Sequence, residues 1–227
     1  VVPQRFAPVL SEIAPIASRF RDAGFKLFVV GGTVRDLMLD KPVTALDFDL
    51  TTDALPDQIK DLLTGWCDSL WVQGERFGTI GAKKGERVYE ITTHRAEAYS
   101  PDSRKPDVQF SKDIHEDLSR RDFTINAMAL EVTSDSPVLV DPFNGMADLM
   151  GKVLRTPLSP EISFSDDPLR MMRAARFISG LGMVAVPELI AAVKMMSDRI
   201  TIVSAERIRD EFDRLIVTDR PSFGLWF

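Results

Sequence analysis

Two neighbouring stretches limit what this chain can fold into: Leu27-Phe-Val-Val-Gly-Gly-Thr-Val-Arg35-Asp36, and then Leu46-Asp47-Phe-Asp49-Leu. The β-branched and aromatic residues at 27–30 predict a buried strand. Gly31 and Gly32 predict a turn whose backbone can approach a ligand, and from Thr33 the spacing is helical. In the second stretch Asp47 and Asp49 alternate with Leu46, Phe48 and Leu50. A period of two puts both carboxylates on one sheet face and the apolar residues on the other. Like charges that close raise each other's pKa and destabilise the fold unless something positive sits between them. From this stretch alone a solvated acidic edge strand stays open as the alternative.

A chain of 227 residues, 44% hydrophobic and 27% charged, is long enough for a proper core in one large or two small domains. No apolar run approaches the roughly 18–20 residues a membrane span needs, and no basic-then-apolar leader is present, so a cytoplasmic protein without membrane partners is expected. The single cysteine, Cys67, excludes an internal disulfide and a cysteine-based zinc site. His94 and His115 read as loop or surface residues rather than ligands. A net charge of −6 counts against a whole-surface grip on nucleic acid but leaves room for a local basic groove. The start at Val1 and the apolar ending Gly-Leu-Trp-Phe227 predict a piece of a longer chain.

The spacing predicts an amphipathic helix over 6–23, with Leu10, Ile13, Ala17 and Phe20 inward and Gly24 as its stop. Strand 26–30, helix 33–39, a turn at Asp40-Lys-Pro42, strand 46–50 and helix 56–63 follow. Strands are predicted at 70–73, 79–84 and 88–92, with a hairpin turn at Lys84-Gly85-Glu86. Residues 94–110 read as a long polar loop. From Asp113 the character turns helical, through Arg120-Arg121-Asp122-Phe-Thr-Ile-Asn126-Ala-Met-Ala. Strand 137–140, a helix near 146–150 and strand 153–155 complete a first domain. Beyond about residue 156 the signals are mainly helical, with helices from Asp167-Pro168, over 187–197 and from Ser204. The last should present Ile208, Phe212, Leu215 and Ile216 on one face.

Glu90 falls in the strand 88–92, a neighbour of the Asp47–Asp49 strand. Hard carboxylate oxygens from adjacent strands, with no histidine or cysteine nearby, suit Mg²⁺, which takes a few carboxylates together with waters and substrate phosphates. That chemistry is two-metal phosphoryl transfer. Backbone N–H groups after Gly31-Gly32, with Arg35 one turn on, can hold an anion. The spacing is neither a Rossmann nor a P-loop pattern. Asp167, Arg170, Arg173 and Arg176 recur every three residues and form a drifting stripe on one helix side. Taken by itself, such a stripe is more commonly a solvated face with i,i+3 ion pairs. A guanidinium and a carboxylate can also each read a base edge with two hydrogen bonds.

Gly31-Gly32-x-x-Arg35-Asp36, Asp47-x-Asp49, Arg120-Arg121-Asp122-Phe-Thr-Ile-Asn126-Ala, Asp141-Pro-Phe-Asn-Gly-x-x-Asp148-Leu and Asp166-Asp167-Pro-Leu-Arg170-Met-Met-Arg173-Ala-Ala-Arg176-Phe occur in that order. This series resembles the class II tRNA nucleotidyltransferases, the CCA-adding enzymes and bacterial poly(A) polymerases. The resemblance implies an α+β fold: a nucleotidyltransferase head with a mixed β-sheet flanked by helices (1–156), followed by an all-helical neck (157–227) that selects the nucleotide. It implies that Asp47 and Asp49 bind catalytic Mg²⁺ and that Glu90 helps activate the primer hydroxyl. Gly31, Gly32 and Arg35 would contact the triphosphate. Arg121, Asp122 and Asn126 would serve nucleotide and ribose recognition, Asp167 and Arg170 would read the base, and Arg173 and Arg176 would add nucleotide contacts.

The implied reaction is template-independent addition of CCA to the tRNA 3′ end from CTP and ATP. Asp166 stands where the family often has glutamate. Gly74-Glu75-Arg76-Phe77-Gly78-Thr79-Ile80 and the loop string Asp102-Ser-Arg104-Lys-Pro106-Asp107 resemble the CCA-adding pattern, while poly(A), CC-only and A-only addition stay as alternatives. A catalytically silent nucleotide-binding module is the rival from another class. A nucleotide-independent RNA-binding protein fits less well, because no aromatic stacking platform is evident in the sequence.

Overall fold

Helix α1 (Ala7–Asp22) turns Val9, Ile13, Ile16, Ala17 and Phe20 inward, the 3-and-4 spacing of an amphipathic helix. Leu10, expected on that face, is only half-buried, because Val9 takes the inward position. The computed structural model describes residues 3–41, 47–72, 74–98 and 107–227. They divide into two compact units, one built from residues 1–119 and 126–142, the other from 120–125 and 143–227.

In the first unit, β1 (Leu27–Val30) is buried along its whole length and leads through Gly31 into α2 (Gly32–Met38). Then come β2 (Asp47–Thr52), α3 (Pro56–Leu63), β3 (Ser69–Trp71), β4 (Thr79–Lys84) and β5 (Arg87–Thr93). After β6 (Arg95–Ala98), β7 (Asp107–Phe110) and α4 (Ile114–Ser119), the unit closes with β8 (Ala129–Glu131) and β9 (Val138–Val140). Seven strands form one sheet in the order β3-β4-β5-β2-β1-β8-β9. The β2–β5 pair is parallel and the other pairs are antiparallel, so the sheet is mixed, as expected.

Two sequence expectations fail here for the same physical reason. Ala129–Glu131 is built of helix formers and reads as helical, yet it pairs with β1, Val29 facing Leu130. Residues 94–110 read as a loop, but β6 and β7 form a hairpin, Arg95 facing Phe110 and Ala98 facing Asp107. In both cases pairing to a partner strand overrides local propensity. His94, expected at the surface, is buried: Thr51 Oγ1 lies 2.8 Å from its Nδ1, and its backbone N–H donates to the Thr52 carbonyl at 2.7 Å. The turn at Pro42, Leu46 and loop residues 102–106 lie outside the described residues.

The second unit contains α5 (Gly145–Gly151), β10 (Val153–Leu154), α6 (Pro160–Asp166), α7 (Leu169–Leu181), β11 (Val184–Ala185), α8 (Pro187–Met196), α9 (Ala205–Ile216) and α10 (Pro221–Trp226). The strand expected at 153–155 is β10. It pairs in parallel with β11, a two-residue strand the sequence does not announce, so the region after 157 is helical except there. Ser204 caps α9 through its hydroxyl, which accepts from the Arg207 N–H. The buried face of α9 is Glu211 and Leu215, while Phe212 and Ile216, predicted to face inward, are exposed. Among the described residues no helix is long and apolar enough to cross a membrane.

Candidate active site

Along β2, Phe48 and Leu50 are buried while Asp47 and Asp49 are exposed, as the period-two reading requires. Parallel pairing with β5 sets Asp49 opposite Glu90 and Asp47 opposite Val88. Residues in register on adjacent strands project from the same face. Tyr89 and Ile91 are buried on β5 and Glu90 is exposed, so the three acids share the open face of the sheet. Partial desolvation, then the charges of Asp49 and Asp47, hold the Glu90 carboxyl above its ordinary pKa. The solvent-accessible side chain is thus still shielded by its surroundings.

On the opposite face, Phe48 packs against Tyr89 at 5.6 Å between ring centroids. The Arg87 guanidinium lies 5.1 Å from the Phe48 centroid and pairs with Glu12 of α1. This packing fixes β2 between the two aspartates.

The donor set fits a hard divalent cation. Asp47 and Asp49 supply paired oxygen donors, exposed on one face of β2 with Glu90 in register beside Asp49. Among the described residues no group of three or more His, Cys, Asp or Glu is placed to hold a metal. Carboxylate oxygens suit a hard divalent ion that completes its shell with water and substrate oxygens.

Gly31 has φ 70° and ψ −132°, a conformation closed to residues with a Cβ, and its N–H donates to the Met128 carbonyl at 3.4 Å. A Cβ on Gly32 would meet the Arg35 guanidinium, at an ordinary 3.5 Å. Among the described residues nothing else closes over that backbone as tightly. Arg35 itself is fixed: Nε and Nη2 donate to the two Asp36 carboxylate oxygens at 2.9 Å, and Nη1 donates to Asn126 Oδ1 at 2.7 Å. Asn126 is thereby brought to the glycine turn across 91 residues of sequence.

The string Arg120–Asn126 is divided, because Asn126 belongs to the first unit and Arg120–Ile125 to the second. Within the second unit, Asp122 Oδ2 accepts from Arg173 Nε at 2.9 Å and Nη2 at 2.5 Å, and Oδ1 accepts from the Phe123 N–H at 2.8 Å. Burial lowers the Arg173 pKa, but Asp122, Glu211 and Asp167 outweigh it and the net shift is upward. Arg121 is half-buried. Asp148, also buried, accepts from Thr124 Oγ1 at 2.7 Å and pairs with Arg155 at 3.1 Å, which fastens α5 to the 120–125 segment within the second unit.

Along Asp167 and α7 most partners of the stripe come from other segments. Asp167 Oδ1 accepts from the Leu169 N–H at 3.2 Å, and Oδ2 accepts from Arg207 Nη2 at 2.8 Å. Arg170 donates to Ser163 Oγ at 2.9 Å and to the Arg120 carbonyl at 2.6 Å. Arg176 pairs with Glu211 and lies 4.5 Å from the Phe177 centroid. The simple reading of i,i+3 pairs within the stripe therefore does not describe it. Arg207 and Glu211, four residues apart on one side of α9, pair with three stripe members, Asp167, Arg173 and Arg176, and the motifs do not include them. Only their i,i+4 spacing could have signalled them, and an exposed helix face gives the same pattern.

The fold and the carboxylate face define a polymerase-type nucleotidyltransferase head, and comparison with known proteins agrees. Residues 27–155 match the family described as poly A polymerase head domain, and residues 186–225 match a probable RNA and SrmB binding site of polymerase A. The chain belongs to the poly A polymerase head-domain family. It is 41% identical over 208 residues to the CCA-adding enzyme of Lactobacillus helveticus, covering 91% of this chain and 50% of that one. To the CCA-adding enzyme of Leuconostoc citreum it is 39% identical over 225 residues, covering 99% and 53%.

Among solved structures it is similar to the Bacillus stearothermophilus CCA-adding enzyme in complex with CTP, with TM-score 0.82, 30% identity, and 99% of this chain and 51% of that one covered. It is also similar to the Thermotoga maritima CCA-adding enzyme complexed with tRNA, with TM-score 0.79, 25% identity and coverage of 99% and 50%. The chain spans about half the length of the curated relatives it matches.

Proposed function

We propose that this chain is the nucleotidyl-transferring part of a CCA-adding enzyme, which extends the 3′ end of tRNA from CTP and ATP in the cytoplasm and releases pyrophosphate. The carboxylate face formed by Asp47, Asp49 and Glu90 is the observation that supports it, and the likeness to CCA-adding enzymes along nearly the whole chain selects the substrate class. The functional division we propose is a catalytic head over 1–156 and a nucleotide-selecting neck over 157–227.

In the reaction, the tRNA 3′-oxygen attacks the α-phosphorus, the bond from that phosphorus to the β-phosphate bridging oxygen breaks, and pyrophosphate leaves. Asp47 and Asp49 would hold Mg²⁺, which when bound would supply charge neutralisation at the phosphates and at the attacking oxygen. Glu90, in register with Asp49 on the same sheet face, takes the hydroxyl proton. The Gly31-Gly32 backbone and Arg35 receive the triphosphate, with Asn126 keeping the guanidinium in place. Arg121 and Asp122 act toward the nucleotide. For Asp122 the geometry supports an indirect role through Arg173. Asp167 and Arg170 select the base by hydrogen bonding, and Arg173 and Arg176 orient their helix.

The test supplies tRNA lacking its 3′ end with CTP and ATP, separately and together, in the presence of Mg²⁺. Completion to CCA is expected. A product that stops at CC with ATP present, adds A alone, or grows into a poly(A) tail overturns CCA addition in favour of the corresponding relative. No magnesium-dependent incorporation of labelled CTP would make the chain a silent nucleotide-binding module.

A further inference from the structure

The sheet register places one more residue in line with the acids. Trp71 on β3 faces Gly81 on β4, Gly81 faces Glu90 on β5, and Glu90 faces Asp49 on β2. Alternation is consistent across all four strands: Leu70, Ala82, Tyr89 and Phe48 form the adjacent row on the other side, and Ala82, Tyr89 and Phe48 are buried. Trp71 therefore shares the open face with Glu90 and Asp49. Its indole lies directly against Gly81, where a Cβ would run into the ring atoms Cε2 and Nε1. Any residue other than glycine at 81 would lift the ring off the sheet. Even so, 36% of the tryptophan remains exposed. Lys83, two residues along β4 from Gly81, adds an exposed cation to the same face.

We propose that Trp71 is a stacking platform for the terminal base of the RNA strand being extended, placing that nucleotide's 3′-hydroxyl at Glu90. Two strand spacings, roughly 9–10 Å, separate Trp71 from Glu90, and the indole leans over the intervening glycine. That leaves about the reach of one nucleotide between ring and carboxylate. Stacking on an aromatic face is tolerant of base identity, and a nearby lysine for the phosphate is the usual companion in single-strand binding. Tolerance matters here, because successive products end in different bases while the hydroxyl must return to one place. A lone tryptophan on a three-residue strand gives no periodic signal, which is why the sequence discloses no stacking platform.

The proposal rests on the RNA-extending reading, and a purely structural role is the rival. An aromatic ring across from a glycine also stabilises a sheet. Two RNA hairpins are compared, each with a single-stranded 3′ tail ending one nucleotide short of CCA, one of them abasic at its last position. Wild type should show a KM for the abasic RNA roughly ten-fold above that for the intact one, the order expected for one stacked base. Trp71→Leu, which keeps an apolar cover on Gly81, should lose about the same factor with intact RNA and nothing further with abasic RNA, at unchanged KM for ATP. Trp71→Phe should recover most of the loss. An intact-RNA KM within two-fold of wild type in Trp71→Leu, or equal losses on both RNAs, overturns the platform.

Intrinsic fluorescence separates this from failure of the parent reading. Intact hairpin should quench wild-type emission, with the quench lost in Trp71→Phe and with abasic RNA. A quench that persists in Trp71→Phe refutes the platform whether or not any nucleotide is transferred. Absence of transfer in wild type refutes the parent reading alone.

Discussion

Replacing Glu211 by alanine should unfold the second unit at a markedly lower temperature. Glu211 is 4% exposed and is the carboxylate against which Arg176 is paired, with Arg173 at 4.0 Å. Both guanidiniums also lie near the Phe177 ring, Arg176 at 4.5 Å and Arg173 at 5.8 Å, so without Glu211 two like charges would be left beside one aromatic. Removing one partner of a buried ion pair costs about 3–5 kcal/mol. Arg173 keeps Asp122, and Arg173 and Arg176 retain 31% and 21% side-chain exposure, so water can reach what is left. The lower figure, about 3 kcal/mol, is therefore the expectation. For a unit under a hundred residues each kcal/mol moves the midpoint by about 4–8 °C, which makes the fall about 12 °C or more.

Differential scanning calorimetry of the whole chain, with the transitions of the two units resolved, measures it. Glu211→Leu combined with Arg176→Met should recover part of the loss, because the uncompensated charge goes with its partner. A midpoint that moves by less than about 2 °C in Glu211→Ala, well short of the expected fall, would refute the claim that this pair organises α7 and α9.

Asp47→Ala should abolish nucleotide incorporation while far-ultraviolet circular dichroism stays at the wild-type level; wild-type-like turnover would remove the metal assignment. Glu90→Gln should raise the melting temperature in EDTA at neutral pH. A carboxyl whose folded pKa is raised adds stability that is complete below its unfolded value and is lost as pH rises through the folded one. The wild-type deficit relative to Glu90→Gln must therefore be small in acid and grow with pH, and a deficit that shrinks with rising pH would contradict the carboxylate cluster. Arg170→Ala should blur discrimination between CTP and ATP more than it raises the KM for either. Uniform loss across all four nucleotides would mean that its bonds to Ser163 and to the Arg120 carbonyl are purely architectural.

Much of the acidic face is legible in the amino-acid sequence, because alternation along a strand is a local property. Asp47 and Asp49 flank Phe48 with a period of two, and no tertiary arrangement can put the three on one side. Gly31 announces its turn for a similar reason, since its backbone torsions exclude other residues. The α1 helix is legible through its spacing, though one residue out of phase at Leu10, and α9 is less so. There Phe212 and Ile216 look like core, while Glu211 goes inward to meet Arg173 and Arg176, and no local pattern encodes a partner 35 residues away. Chain-local chemistry thus determines the acids, the glycine turn and the order of the motifs. Tertiary pairing alone decides that Ala129–Glu131 is a strand, that Asn126 reaches Arg35, and that Trp71 lies in the row of Glu90, because register between strands is a relation between segments that neither segment contains.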